Sequence, residues 1–319
     1  MRFLAGFIHP STTSAWRWSR IITYKFSKSD EIYNVVGDAS VRLAIVDDGF
    51  DLNHIDFSQN YSDAYNVISG SNVVSSSFER QHGTHVAGIA TANSDNNIGS
   101  LGLAAKCTLL PIQIADDVYP KRLSSTHVID GILYALNKGA DVINLSLGGS
   151  IPGFEEWTQQ DSVNFKNARY DESIFWSELY SKLEENNVMV VLAAGNESLP
   201  LELDPMHNST YPVFVCASDP NNELAIFSNY PSQKNDSMTV VVAPGFIWSL
   251  VPNDNYKVLP GTSMSAPLVA SVIALMKSEY PEISNDQIRS DLLSCPPVGD
   301  RNIPLVWMPS LFNLNELDS

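Results

Sequence analysis

Four stretches of this 319-residue chain bring together the residue types needed to make a weak nucleophile reactive. Gly261-Thr262-Ser263-Met264-Ser265-Ala266-Pro267 sets a small hydroxyl residue where a helical run begins. Leu268–Met276 beyond it is apolar nearly all round, as in a helix sunk in a large core. Unpaired backbone N–H groups and the positive end of the helix dipole favour a developing negative charge there, although Ser and Thr are also ordinary helix caps. His82-Gly83-Thr84-His85-Val86-Ala87-Gly88 sets a His ahead of a second apolar run. Val41-Arg42-Leu43-Ala44-Ile45-Val46-Asp47-Asp48-Gly49 ends a β-branched run in an acid, and Val188–Ala194 runs into Gly195-Asn196. Singly, these are a core histidine and turn-forming Asp and Asn residues. Together they provide acyl-transfer chemistry: the hydroxyl attacks, the imidazole takes its proton, and the acid fixes the imidazole. An amide beside a backbone N–H then receives the oxyanion.

The elements that must position these groups alternate. Strands are expected near 41–46, 107–114, 141–145, 188–193, 212–217 and 238–243, and helices near 83–92, 126–138, 170–186, 264–279 and 285–294. Alternation of this kind implies right-handed βαβ crossovers. The expected fold class is α/β, three layers, with a mainly parallel sheet and helices on both faces. Motifs spread from 47 to 263 argue for one catalytic unit.

A 44% apolar composition is ample for a core, and a net charge of −17 argues against nucleic-acid or anionic-membrane partners, which need a basic stripe. Cys107, Cys216 and Cys295 cannot form a complete disulfide set and read as buried thiols. No stretch approaches a membrane-spanning length. The apolar run at Met1–His9 is short for a signal peptide, so a cytoplasmic location is the expectation.

Over residues 40 to 295 the chain resembles the subtilisin-like serine proteases, the subtilases. The resemblance rests on Asp47-Asp48-Gly49, His82–Gly88, Ser146-Leu147-Gly148-Gly149, Ala194-Gly195-Asn196 and Gly261–Pro267, in the Asp…His…Ser order of that family. It implies that Ser263 is the nucleophile, His82 the general base and acid, and Asp47 the orienting acid. Asn196 and the Ser263 N–H would then form the oxyanion hole. A register shift of one would give the orienting role to Asp48, and Asp-Asp-Gly is similar to the kexin-like branch. By position, an extended peptide or protein substrate would lie between Ser146, Leu147 and Gly148 on one edge and Lys121, Leu123 and Ser125 on the other. The primary pocket would be lined by 194–196 and by Glu202 to His207, where Glu202 and Asp204 favour a basic side chain and Met206 an apolar one.

Asp56 with Asn96, Ile98 and Ser100 resembles the family's structural calcium loop, although Asn-rich loops are also ordinary turns. His82 and His85 lack a third ligand and the His-Glu-x-x-His pattern of a zinc site. The aromatic-rich segment near 150–187 is longer than in typical subtilases. It reads either as a cleft rim that narrows substrate choice or as a helix packed on the surface. Residues 1–40 form an extension similar to that of intracellular subtilisins, where it can lie across the cleft as an inhibitor. The expected activity is endopeptidase cleavage through an acyl-enzyme; the alternatives are a selective precursor-processing protease and a peptide-binding pseudo-protease.

Overall fold

A computed structural model describes residues 37–306 and 311, apart from 58–59, 95, 97, 116–123, 149–150, 152 and 233–237. The expected inhibitory extension therefore lies almost wholly outside the described residues.

Seven strands form the central sheet: β1 (Arg42–Asp47), β2 (Tyr65–Asn66), β3 (Thr108–Gln113), β4 (Val142–Leu145), β5 (Met189–Ala193), β6 (Val213–Ser218) and β7 (Thr239–Pro244). Their order is β2-β3-β1-β4-β5-β6-β7, and every pairing is parallel. All six expected strands are present. Their residues are buried almost without interruption, as parallel strands covered on both faces must be. Successive side chains alternate between two layers. Leu43 and Ile45 of β1 pack into one cluster with helices α1 (His82–Thr91) and α5 (Thr262–Glu279). Ala44 and Val46 pack into the other with α2 (Ser125–Asn137) and α4 (Tyr170–Glu185). α3 (Gln159–Ala168) buries none of its residues, and α6 (Asn285–Leu293) follows α5.

The chain leaves β1 for β3 on one side and returns through α2 to β4 on the other. The order thus reverses at β1, and a crevice opens at the carboxyl ends of β1 and β4, where α/β proteins bind ligands. α5 is the apolar helix anticipated from sequence, with 14 residues buried, and its first turn points at that crevice.

A hairpin outside the main sheet, β8 (Phe246–Val251) paired with β9 (Asn255–Pro260), was not anticipated. It covers α1: the Ser249 hydroxyl donates to the His85 carbonyl at 2.8 Å, and the Lys257 carbonyl accepts from His85 Nε2 at 2.9 Å. In the segment 150–187 the structure shows packed helices, and none of its described residues lines the crevice. α4 packs Trp176, Tyr180 and Leu183 into the core, whereas α3 rides on the surface.

Candidate active site

Asp47 is the last residue of β1 and His82 the first of α1, so the sheet's crevice brings them together. Asp47 Oδ1 accepts from His82 Nδ1 at 2.8 Å and also from the Asp48 N–H at 2.7 Å. The close approach of helix to strand requires Gly83, where a Cβ would lie 2.5 Å from the Gly49 carbonyl oxygen and 3.0 Å from Asp47 Cβ. Asp48 points elsewhere. Its carboxylate accepts from the N–H of Gly83 at 2.7 Å and of His82 at 3.3 Å, satisfying orphan donors at the start of α1. The imidazole therefore meets Asp47, and Asp48 grips the backbone that carries it.

Burial works against a charged His82 ring, but the Asp47 carboxylate and its hydrogen bond, reinforced by Asp48, lift its pKa to about 9. Burial and the neighbouring Asp47 charge push the Asp48 carboxyl up to about 6. One turn along, burial holds the His85 ring down to about 4. Its Nε2 faces a carbonyl and carries the proton, so His85 is a neutral packing residue.

Ser263 stands in the first turn of α5. Four residues on, Pro267 has no N–H, so the helix ladder leaves the Ser263 carbonyl without a partner. The Ser146 hydroxyl takes that place at 2.8 Å and itself accepts from Asn144 Nδ2 at 2.9 Å. The Ser263 hydroxyl donates to the Ser146 carbonyl at 3.3 Å and is not hydrogen-bonded to His82. Nucleophile–base bonds are often open without substrate and close when it binds.

Asn196 follows β5. Its Oδ1 accepts from the Thr262 N–H at 2.9 Å and the Thr262 hydroxyl at 3.2 Å, which turns the amide N–H₂ away from Thr262. A backbone N–H can only donate, so this orientation is fixed by chemistry. Asp47, His82, Ser146, Leu147, Gly148, Asn196 and Ser263 all line one cleft of about 320 Å³.

Other sequence-picked residues sit elsewhere. Lys121 and Leu123 lie outside the described residues. Ser125 is the exposed first residue of α2 and does not line the cleft. Glu202 and Asp204 do not line it either. The Glu202 carboxylate accepts from the Ser232 N–H at 3.1 Å, and Asp204 Oδ1 caps a short 3₁₀ turn through the Met206 N–H at 3.0 Å. The cleft carboxylates besides Asp47 and Asp48 are Glu79 and Glu197, which the sequence reading passed over.

Asp56, Asn96 and Ser100 do converge. Asp56 Oδ1 accepts from Asn96 Nδ2 at 2.7 Å and Oδ2 from the Ser100 N–H at 2.6 Å, while Asn96 Oδ1 accepts from the Ile98 N–H at 3.1 Å. Calcium takes a shell of oxygen acceptors. Each Asp56 oxygen keeps a second lone pair, so these bonds do not bar a cation, but among the described residues no group of three His, Cys, Asp or Glu side chains gathers as a metal site.

A parallel α/β crevice holding a carboxylate–imidazole pair, a helix-start serine and an aimed amide defines an enzyme of the serine hydrolase type. The chain belongs to the subtilase family, whose model matches residues 38–295, and is a serine endopeptidase. It is 32% identical over 263 residues to thermitase of Thermoactinomyces vulgaris, covering 81% of this chain and 82% of that protein. It is likewise 32% identical over 267 residues to subtilisin DY of Bacillus licheniformis, covering 80% and 83%. Among solved structures, the protease domain of PatA aligns with a TM-score of 0.69 and 25% identity over 88% of this chain and 96% of that one. Among the described residues no helix is long and apolar enough to cross a membrane.

Proposed function

We propose that Ser263 attacks the scissile peptide carbonyl, that His82 first takes its proton and then gives it to the leaving amine, and that Asp47 orients His82. The observation that carries this reading is the 2.8 Å contact between Asp47 Oδ1 and His82 Nδ1, in the same cleft as Ser263 and Asn196. With Nδ1–H donated to Asp47, neutral His82 keeps a lone pair on Nε2 for the serine proton. The first tetrahedral oxyanion sits between Asn196 Nδ2 and the Ser263 N–H. Collapse expels the amine and leaves an acyl ester on Ser263 Oγ. Water, deprotonated by His82, attacks that ester and releases the carboxylic acid with the serine restored. The substrate backbone lies along Ser146, Leu147 and Gly148; a Cβ on Gly148 would meet nothing within 4 Å, so that side has room.

Labelling by a fluorophosphonate tests this reading. The native chain should be tagged, Ser263→Ala should not, and tagging that persists in Ser263→Ala would sink it. A profile of cleaved peptides separates broad cutting from selective processing of one precursor.

A further inference from the structure

The loop that carries Asn196 leaves β5 through Gly195 at φ +99°, and one side chain from a distant segment holds it on both sides. Asn229 Oδ1 accepts from the N–H of Glu197 at 3.0 Å and of Leu199 at 2.9 Å, and the Asn229 N–H donates to the Gly195 carbonyl at 3.0 Å. Asn229 Nδ2 donates to Glu197 Oε2 at 3.1 Å, the same oxygen that accepts from the Asn196 N–H at 2.8 Å. Asn229 is 8% exposed, and its amide packs so closely that a Cβ on Gly195 would lie 2.3 Å from Nδ2.

We propose that Asn229, acting through Glu197, is a positioning residue of the oxyanion hole. It fixes the backbone before and after Asn196, while Thr262 holds the far end of the Asn196 side chain. The proposal rests on the reading of Asn196 as an oxyanion donor. The site needs an acceptor for two N–H groups and a donor for a carboxylate on one short side chain. Asparagine provides both, whereas aspartate lacks the donor.

Asn229→Asp is therefore the informative substitution. It keeps the shape and the acceptor oxygen but sets a second carboxylate beside Glu197. At acid pH such a pair shares a proton and recovers the missing donor. With a neutral chromogenic peptide at pH 8, kcat should fall about tenfold or more, as misplacement of a catalytic group does, with KM within about twofold. The ratio of variant to native kcat should climb several-fold between about pH 8 and pH 5.5. In the Asn196→Ala background the same substitution should cost less than about twofold, because residues acting as one unit are not additive. A native kcat for Asn229→Asp, a pH-independent ratio, or an undiminished loss in the Asn196→Ala background would overturn the proposal. If Asn196→Ala alone left kcat intact, the oxyanion reading itself would have failed, and the cycle shows which. Should Asn229→Asp not fold, the exposed Glu197→Ala removes the shared oxygen and is judged by the same cycle.

Discussion

The two walls of the cleft solve different problems. The wall built from β1 and α1 is charged: Asp47, Asp48 and His82 sit within one hydrogen-bonded knot, and the proton affinities of Asp48 and His82 are displaced far from solution values. The wall built from the end of β5 and the start of α5 presents uncharged donors, the Asn196 amide oriented by Thr262 and the backbone N–H groups of the helix. In the proposed mechanism the first wall moves a proton, so its chemistry follows pH. In the same proposal the second wall receives charge that exists only during the reaction, so its chemistry is geometric and flat with pH. The contrast can be broken at either wall.

The largest effect belongs to the residue between them. Ser263→Ala should cut kcat by about a millionfold, the scale known for the subtilisin nucleophile, with the fold intact by circular dichroism. On the second wall, Asn196→Ala should lower kcat by about 10²–10³, the range known for this donor in subtilisin, by the same factor from pH 7 to 10. A loss that varied with pH would show that this wall also titrates.

On the charged wall, kcat/KM should rise with pH until His82 loses its proton, near pH 9. Asp48→Asn removes a carboxylate that helps to raise the His82 pKa, so the midpoint of that limb should move toward neutrality. An unmoved limb would mean that Asp48 serves only as a helix cap.

His85 gives a stability test of the same contrast. Its folded pKa of about 4 lies below the ordinary histidine value of 6.5, so the neutral ring contributes stability that is present above pH 6.5 and lost as pH falls toward 4. The full loss is about 3 kcal/mol from the size of the shift. Asp48, raised from 3.8 to about 6, works in the opposite sense, its ionised form costing stability as pH rises through that range. Urea unfolding of an inactive Ser263→Ala/Asp48→Asn chain should therefore show the loss attributed to His85. The smallest effect concerns the Asp56 loop. Because no group of three metal-ligating side chains gathers around Asp56 among the described residues, chelation with EDTA should leave Tm within about 1 °C of the untreated protein, below the shift expected for a change of 1 kcal/mol in a chain of this size.

Much of this architecture was legible because burial is written in long apolar runs. β1, β5 and α5 declare themselves that way, and the polar residues that end each run mark the crevice. The β8–β9 hairpin was missed because β9 is only partly buried and carries Asn255 and Lys257, although β8 is apolar at five of its six positions. Its signal lay in the turn instead: Asn253 and Asp254 both take positive φ, which those residue types tolerate best. The orientation of acids was illegible for another reason. Asp204 precedes Pro205 and caps a turn, a pattern that helix-start grammar does record, whereas Glu202 is held by Ser232 from a distant segment. Asn229 left no local mark, since its meaning lies in partners about thirty positions away.

The burial of α5 on all sides has a consequence for synthesis. While the chain is still growing toward Thr262, its sheet lacks the helix that fills one face, and its cleft lacks the Ser263 hydroxyl. Translation itself thus delays the onset of proteolysis until the body that must contain it can close.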